Sequence, residues 1–383
     1  MLPFSYAVRN LTRSKSRLLQ TIGGSALVVL LVMAAVAINQ GMKRVLSASG
    51  SPNNVVLVGA GSEESIQRSE VAESAAGIAE AAVPGIGEEL GVRAVSSEIH
   101  YMNYVDLGGG QRAQAMFRGV TPQALRVHPE VRVIAGSFPS AGQIMIGRLA
   151  WRKLGVPEAA LQPGKHVTLD GQDLVISGIF AAPGTVLESE LWATLGDIRV
   201  LSKRETVSCV VLRLDDPAGF ADADLFAKQR LDLELSAIRE SDYYARLSSF
   251  FKPLRAMTWI TAGLIAAGAL FGGVNTLYAA FASRVREMAT LQAIGYGRGA
   301  LLASLVQEST LACLTGTLLA SLAAVLLLDG RTVPFSIGAF TLEIGPGVAI
   351  TGVVTGLLLG LLGALPPAIR CLKPSLPFAL RSS

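Results

Sequence analysis

Three histidines, three cysteines and one adjacent Gln–Glu pair inside an apolar run are the residues from which a reaction centre in this chain would have to be built. His100, His128 and His166 stand far apart, none in an H-E-x-x-H, H-x-x-E-H or Cys/His spacing of the kind that holds zinc. No G-x-x-x-x-G-K-[ST] occurs, so there is no P-loop to cradle nucleotide phosphates. Gly295-Tyr296-Gly297-Arg298-Gly299 follows no strand pattern and reads instead as a helix breaker. The apolar runs contain Ser304, Ser309 and Ser321 but no histidine, which leaves an intramembrane serine without its base. The expectation is a chain with no catalytic residue, no metal and no cofactor of its own.

The remaining candidates are residues that pack, pair or dock. An ionisable side chain in a bilayer is costly unless it faces a partner or water, so Gln307 and Glu308 are either a gate that senses helix motion or a static anchor, with Asn275 as a candidate partner. Gly268 and Gly272 in one run, and Gly352, Gly356 and Gly360 in another, recur at four-residue steps and let helices approach closely. Spacing alone leaves open whether those ridges meet within one chain or between two. Of the three cysteines only Cys209 falls outside the apolar runs and their cytoplasmic flanks, so that part of the chain can form no internal disulfide.

These residues hang on four apolar runs. The chain has 383 residues, is 51% hydrophobic and 16% charged, and has a mean hydropathy of +0.47. A soluble domain carries about 25% charged residues, so the composition points to a membrane protein. Spans are expected at 18–38, 257–282, 301–328 and 348–369, each near the ~20 residues that cross a hydrocarbon core. Basic residues cluster before the first (Arg9, Arg13, Lys15, Arg17), between the second and third (Arg284, Arg286, Arg298) and after the fourth (Arg370, Lys373, Arg381). The positive-inside rule places all three clusters in the cytoplasm, hence both termini inside and residues 39–256 outside. Residues 1–17 are expected to be an amphipathic segment on the inner face or a simple basic flank, 329–347 a short outer loop and 370–383 an inner tail. The first run is too long for a cleaved leader and is read as an anchor. The positive excess is thus topological, and no nucleic-acid partner is implied.

The stretch from Gly273 to Gly299 leaves an apolar helix, turns basic at Arg284 and Arg286, and continues Glu287, Met288, Leu291, Ile294 before breaking at Gly295. Met288, Leu291 and Ile294 share one face of a short helix within the loop 283–300 and are expected to offer it to a cytoplasmic partner. The stretch resembles the first cytoplasmic loop of the MacB/FtsX/LolC-type ABC transporter permeases. Asn275, Arg284, Arg286, Glu287, Met288, Ala289, Leu291, Ala293, Ile294 and Gly295 match that family's pattern, while Gln292 replaces its usual basic residue.

Outside the membrane the sequence alternates strand and helix signals. Strands are expected at Asn54–Val58, Val92–Asp106, Gln111–Val120 and Val207–Leu214, and helices at Glu63–Ala82, Arg148–Leu154 and Pro217–Arg230. His166–Phe180 reads as a hairpin turning on Asp170-Gly171. The pattern from Ser241 to Arg255 is helical and is expected to run into the second span as one rod, a stalk over 241–256 with a kink at Pro253. RGVTP (Arg118–Pro122), AGSFP (Ala135–Pro139), IGRLAWRKLG (Ile146–Gly155), PGKHVTLDGQ (Pro163–Gln172) and LVISGIF (Leu174–Phe180) are similar to the MacB-type periplasmic core domain, with Ser137 a departure. PSLPFALR (Pro374–Arg381) echoes the family's C-terminal motif.

The resemblance implies an α-helical membrane protein with four transmembrane helices and a large extracytoplasmic α+β domain, in which 131–205 is an inserted subdomain. It implies a permease subunit in the bacterial inner membrane, paired as a homo- or heterodimer with the first and second spans near the interface. A separate cytoplasmic ABC ATPase would carry ATP and Mg and would engage Arg284, Arg286, Glu287, Met288, Leu291, Ala293, Ile294 and Gly295. Acidic replacement of Met288 and Leu291 together is expected to uncouple the pair without disturbing insertion. Three jobs fit: efflux through a periplasmic adaptor and outer-membrane channel, extraction of lipoproteins or lipids, or signalling to a cell-wall hydrolase. A receptor or scaffold without energy input is the alternative from another class.

Overall fold

The four apolar runs fold as helices long and apolar enough to cross a bilayer, Lys15–Ala48, Lys252–Ala282, Arg298–Leu327 and Pro346–Cys371. They are seen in a computed structural model that describes residues 6, 15–108 and 111–374. Most of the segment 1–17 and of the Pro374–Arg381 motif, with Gly109 and Gly110, lies outside the described residues. The chain forms two compact units. A membrane unit draws on residues 1–40, 253–331 and 342–383, and an extramembrane unit on 41–252 and 332–341.

In the membrane unit, glycines set the spacing between helices. A Cβ on Gly352 would strike Met33 and Val29 of the first helix, one on Gly356 would overlap Thr317, and one on Gly360 would meet Thr310, both on the third helix. Gly316 of the third helix approaches the first helix backbone at Ile22 in the same way. The glycine ridge of the fourth helix is therefore consumed within this chain. Gly268 and Gly272 of the second helix have nothing within 4 Å, and that helix buries little of itself here.

The extramembrane unit is built on a ten-stranded mixed sheet. Its strands are β1 (Asn54–Gly59), β2 (Val95–Asp106), β3 (Arg112–Val120), β4 (Arg132–Gly136), β5 (Gln143–Gly147), β6 (His166–Leu169), β7 (Gln172–Ala181), β8 (Leu191–Thr194), β9 (Cys209–Arg213) and β10 (Leu235–Arg239). Their order is β10-β1-β9-β2-β3-β8-β5-β7-β4, with β6 bridging β2 and β7. Val55 and Leu57 of β1 enter one apolar cluster and Val56 and Val58 another, the period-two alternation of a strand covered on both faces. The β6–β7 turn falls on Asp170 and Gly171, both at positive φ (49° and 81°), as a two-residue hairpin of this type requires.

The helix that carries the expected first span runs on past Ile38 to Ala48, ending just before Gly50-Ser51-Pro52. Three further points differ from expectation. The segment Glu63–Ala82 is not one helix: it divides into a 3-10 turn at Ile66–Arg68 and a helix at Ser74–Ala82, with Val71 between them in an isolated bridge to Val207. The stalk is not one rod with the second span. A helix from Glu240 to Phe250 ends, Phe251 forms a turn, and a new helix begins at Lys252, with Pro253 in its first turn where a missing N–H costs nothing. Phe251 turns aside to pack its ring on Phe335 at 5.8 Å. Finally, the loop 329–347 contains a β-hairpin, Thr332–Phe335 with Gly338–Thr341, that belongs to the extramembrane unit. Lys153 Nζ donates to the carbonyls of Phe335 and Ser336, and Phe340 fills the space a Cβ on Gly41 would need.

Candidate functional site

Two groups of polar residues stand out, one in each unit. The first is the short helix Val285–Ala293 between the second and third long helices. It starts at Arg284, whose φ and ψ of −110° and 5° break the preceding helix, and Gly295 at φ +107° ends it. Met288 is 2% exposed and lies in a cluster with Leu277, Phe281, Leu301 and Leu305, against which Leu291 is half-buried. The expected face of Met288, Leu291 and Ile294 is therefore not a free face. Arg286, Thr290, Ala293 and Ile294 are the exposed positions, with Ile294 71% exposed. Their spacing of four, three and one residues makes a single stripe. The three-residue step in the sequence is real, but only its last member points outward.

Arg284 is also not a surface contact. Its Nη1 donates to Glu308 Oε2 at 2.8 Å and its Nε to Glu287 Oε2 at 3.3 Å, while Tyr6 OH donates to Glu287 Oε1 at 2.8 Å. Glu308 thus takes Arg284 as a partner in place of the expected Asn275, which is exposed. Gln307 is exposed as well, since adjacent helix positions point about 100° apart. The pair ties the short helix to the third long helix.

The second group is a buried ion network in the sheet. Arg118 on β3 donates bidentately to Glu190, Nε to Oε2 at 2.7 Å and Nη2 to Oε1 at 2.8 Å, and its Nη1 reaches Glu98 Oε2 on β2 at 2.5 Å. Trp192 Nε1 donates to Glu190 Oε2 at 2.9 Å. His128 Nε2 lies 3.0 Å from Glu98 Oε1, and its Nδ1 lies 3.6 Å from Glu130 and 3.9 Å from Glu240. Burial disfavours the imidazolium, but the carboxylates of Glu98, Glu130 and Glu240 outweigh it and push His128 up to about 10. Burial also pushes the Glu240 carboxyl above the usual range, whereas His128 and Arg118 hold Glu98 well below it against the same burial. A cavity of about 120 Å³ lies against this network, lined in part by His100, Arg118, Glu190, Tyr243, Tyr244 and Ile337.

Glu98, His100 and Cys209 bring three ligand-type atoms within 4.8 Å of one another. The trio does not suit a metal. Both Glu98 oxygens are already engaged, by Arg118 and His128, and burial together with Glu98 pushes the Cys209 thiol well up, away from the thiolate a metal needs. Neither the trio nor the wider network is visible as a spacing motif, because its members come from β2, β3, β8, β9 and the start of the stalk helix. The local trace is that Glu98 and His100 are two apart on one face of β2, and that Glu190 stands two residues before Trp192 of β8.

Residues 18–224 match the family of MacB-like periplasmic core domains, and residues 259–376 match the FtsX-like permease C-terminal family. A comparison with curated proteins finds no match. Among solved structures, the periplasmic region of MacB from Actinobacillus actinomycetemcomitans is similar at 11% identity and a TM-score of 0.39, over 52% of this chain and 94% of that one. The extracellular domain of the noncanonic ABC-type transporter YknZ from Gram-positive bacteria is similar at 12% identity and a TM-score of 0.38, over 49% and 100%. A domain of a putative permease protein from Porphyromonas gingivalis is similar at 14% identity and a TM-score of 0.33, over 49% and 89%.

Proposed function

The chain belongs to the MacB/FtsX-type family of ABC transporter permeases, and on that premise we propose that it transmits ATP-driven motion from a separate cytoplasmic ATPase to its own extracytoplasmic domain. The observation that carries this reading is the two-sidedness of the helix Val285–Ala293. One side is bolted to the membrane unit by Met288 and by the Arg284–Glu308 pair, and the other presents Arg286, Thr290, Ala293 and Ile294. A helix so held passes a push on its exposed stripe to the second and third long helices instead of absorbing it. The work required is modest, since a bias of a few kcal/mol between two packings shifts a population almost completely.

Two copies would work together, and the open Gly268 and Gly272 face of the second helix suits a partner helix of a second permease, the same or a related chain. The domain 39–256 would handle its substrate on the outer side, for efflux by way of a periplasmic adaptor and outer-membrane channel or for extraction of lipoproteins or lipids.

Affinity purification of the full-length chain in mild detergent, with mass spectrometry of its companions, tests this reading. Recovery of a P-loop ATPase near one copy per permease is expected, together with its loss on Ile294→Asp and Arg286→Glu. A co-purified adaptor would select efflux and a co-purified lipoprotein would select extraction. A chain that always comes alone, with nucleotide present, would replace transmission by the scaffold reading.

A further inference from the structure

The buried network contains one side chain whose second nitrogen stands between two acceptors. His128 is fully buried and its Nε2 is fixed on Glu98 Oε1, but Nδ1 is 3.6 Å from Glu130 Oε1 and 3.9 Å from Glu240 Oε1, too far to hydrogen-bond to either. A buried N–H left in this way is costly, and a shift of about 1 Å by either carboxylate would remove the cost. The two carboxylates lie on different parts of the domain. Glu130 immediately precedes Val131 and β4, where the segment 131–205 begins, and Glu240 is the first residue of the stalk helix.

Glu240 is coupled to the rest of the junction as well. Its Oε2 accepts the Ser51 N–H at 3.0 Å and Asn54 Nδ2 at 2.9 Å. Gly50 has no room for a Cβ because the Ser241 backbone fills it. The stalk helix therefore moves together with the chain that leaves the first long helix. From this geometry we infer that His128 is a positioning residue with two alternative partners: its Nδ1–H closes on Glu240 in one posture of the stalk helix and on Glu130 in the other, while Nε2–H stays on Glu98 as the pivot.

Neither carboxylate is stranded when the imidazole leaves it. Glu130 is partly exposed and keeps water, and Glu240 keeps Ser51 and Asn54. Neither posture therefore strands a charge, which a switch between them needs. The groups that face or back the imidazole are Glu98 from β2, Glu130 from the following loop, Glu240 from the stalk helix, and Arg118 and Glu190 behind Glu98, with the Trp192 ring edge-on at 6.0 Å. These carboxylates keep both ring nitrogens protonated at neutral pH, so the exchange moves a hydrogen bond and no proton. The inference rests on the transmission reading only for what drives the stalk.

The test uses the full-length chain in nanodiscs without any ATPase. Spin labels go at exposed Ala245 on the stalk helix and exposed Lys165 in the segment 131–205, and pulsed dipolar spectroscopy reads the distances between them. Two distances are expected. E130Q should move their ratio toward the state closed on Glu240 and E240Q toward the state closed on Glu130, each by about tenfold or more, since each replaces a charged acceptor with a neutral one. Shifts in the same direction, or one unchanged distance in all three proteins, would overturn the inference. If E240Q does not fold, E130Q decides alone, because its carboxylate is partly exposed, and an unchanged ratio would overturn the inference. Opposite shifts that then ignore an added ATPase and nucleotide would support the switch and remove the transmission reading.

Discussion

Arg284 and Glu308 stand twenty-four positions apart and meet at 2.8 Å, each about nine-tenths buried. The pair joins the start of the short helix to the third long helix. Removing one member breaks the 2.8 Å bond and leaves the other buried with its remaining contacts, Glu287 in the case of Arg284, at a cost of about 1–3 kcal/mol. Arg284→Ala and Glu308→Ala should each lower resistance to SDS unfolding in mixed micelles by that order. The double variant should lose clearly less than the sum, and additive losses would mean that the two do not act as a pair.

Met288 and Ile294 lie on the same short helix and should respond oppositely to the same substitution. Met288→Asp buries a carboxylate among Leu277, Phe281 and Leu305 and should cost several kcal/mol of stability or abolish accumulation. Ile294→Asp is exposed and should leave the unfolding transition within about 0.5 kcal/mol of wild type, while weakening capture of the ATPase. The acidic pair at Met288 and Leu291 would therefore report packing as much as docking.

The glycines divide in a similar way. Gly356→Ala and Gly360→Ala put a methyl into Thr317 and Thr310 and should destabilise the chain by about 1–3 kcal/mol. A Cβ on Gly268 or Gly272 meets nothing within 4 Å among the described residues, so Gly268→Ala and Gly272→Ala should not destabilise the chain. Their effect should appear in self-association, read by light scattering in detergent.

His128 sets an alkaline limit on the extramembrane unit. Its value rises from 6.5 to about 10 on folding, so its stabilisation is complete below pH 6.5 and is lost as pH climbs through 10. The melting temperature followed by tryptophan fluorescence should fall across that window, and His128→Gln should start lower and flatten the dependence. A melting temperature that held steady from pH 7 to pH 10 would contradict the buried imidazolium.

Lys153 holds the hairpin between the third and fourth long helices by two carbonyls at its turn. Lys153→Met keeps the stem and removes the donors. Hydrogen exchange across residues 332–341 should accelerate at least about tenfold, consistent with the loss of a charged hydrogen bond, while exchange in β1 and β9 stays as it was.

The four long helices, the strand alternation of the extramembrane unit, its Asp170-Gly171 turn and the membership of the family were legible in the sequence. Each depends on local signals: a run long enough to span, a period of two, a dipeptide that tolerates positive φ, or a motif contiguous in the chain. The direction in which Met288 points was not legible, because one helical period fits a buried stripe and an exposed one equally well. Only the packing of Leu301 and Leu305 from the next helix distinguishes them. The break at Phe251 followed from an aromatic contact made eighty-four residues away, and no local propensity reports that. Arg284–Glu308 and the set of Glu98, Arg118, His128, Glu190 and Glu240 are long-range electrostatic arrangements. In sequence their members are ordinary charged residues, and it is the low dielectric of the folded interior that makes their distances matter.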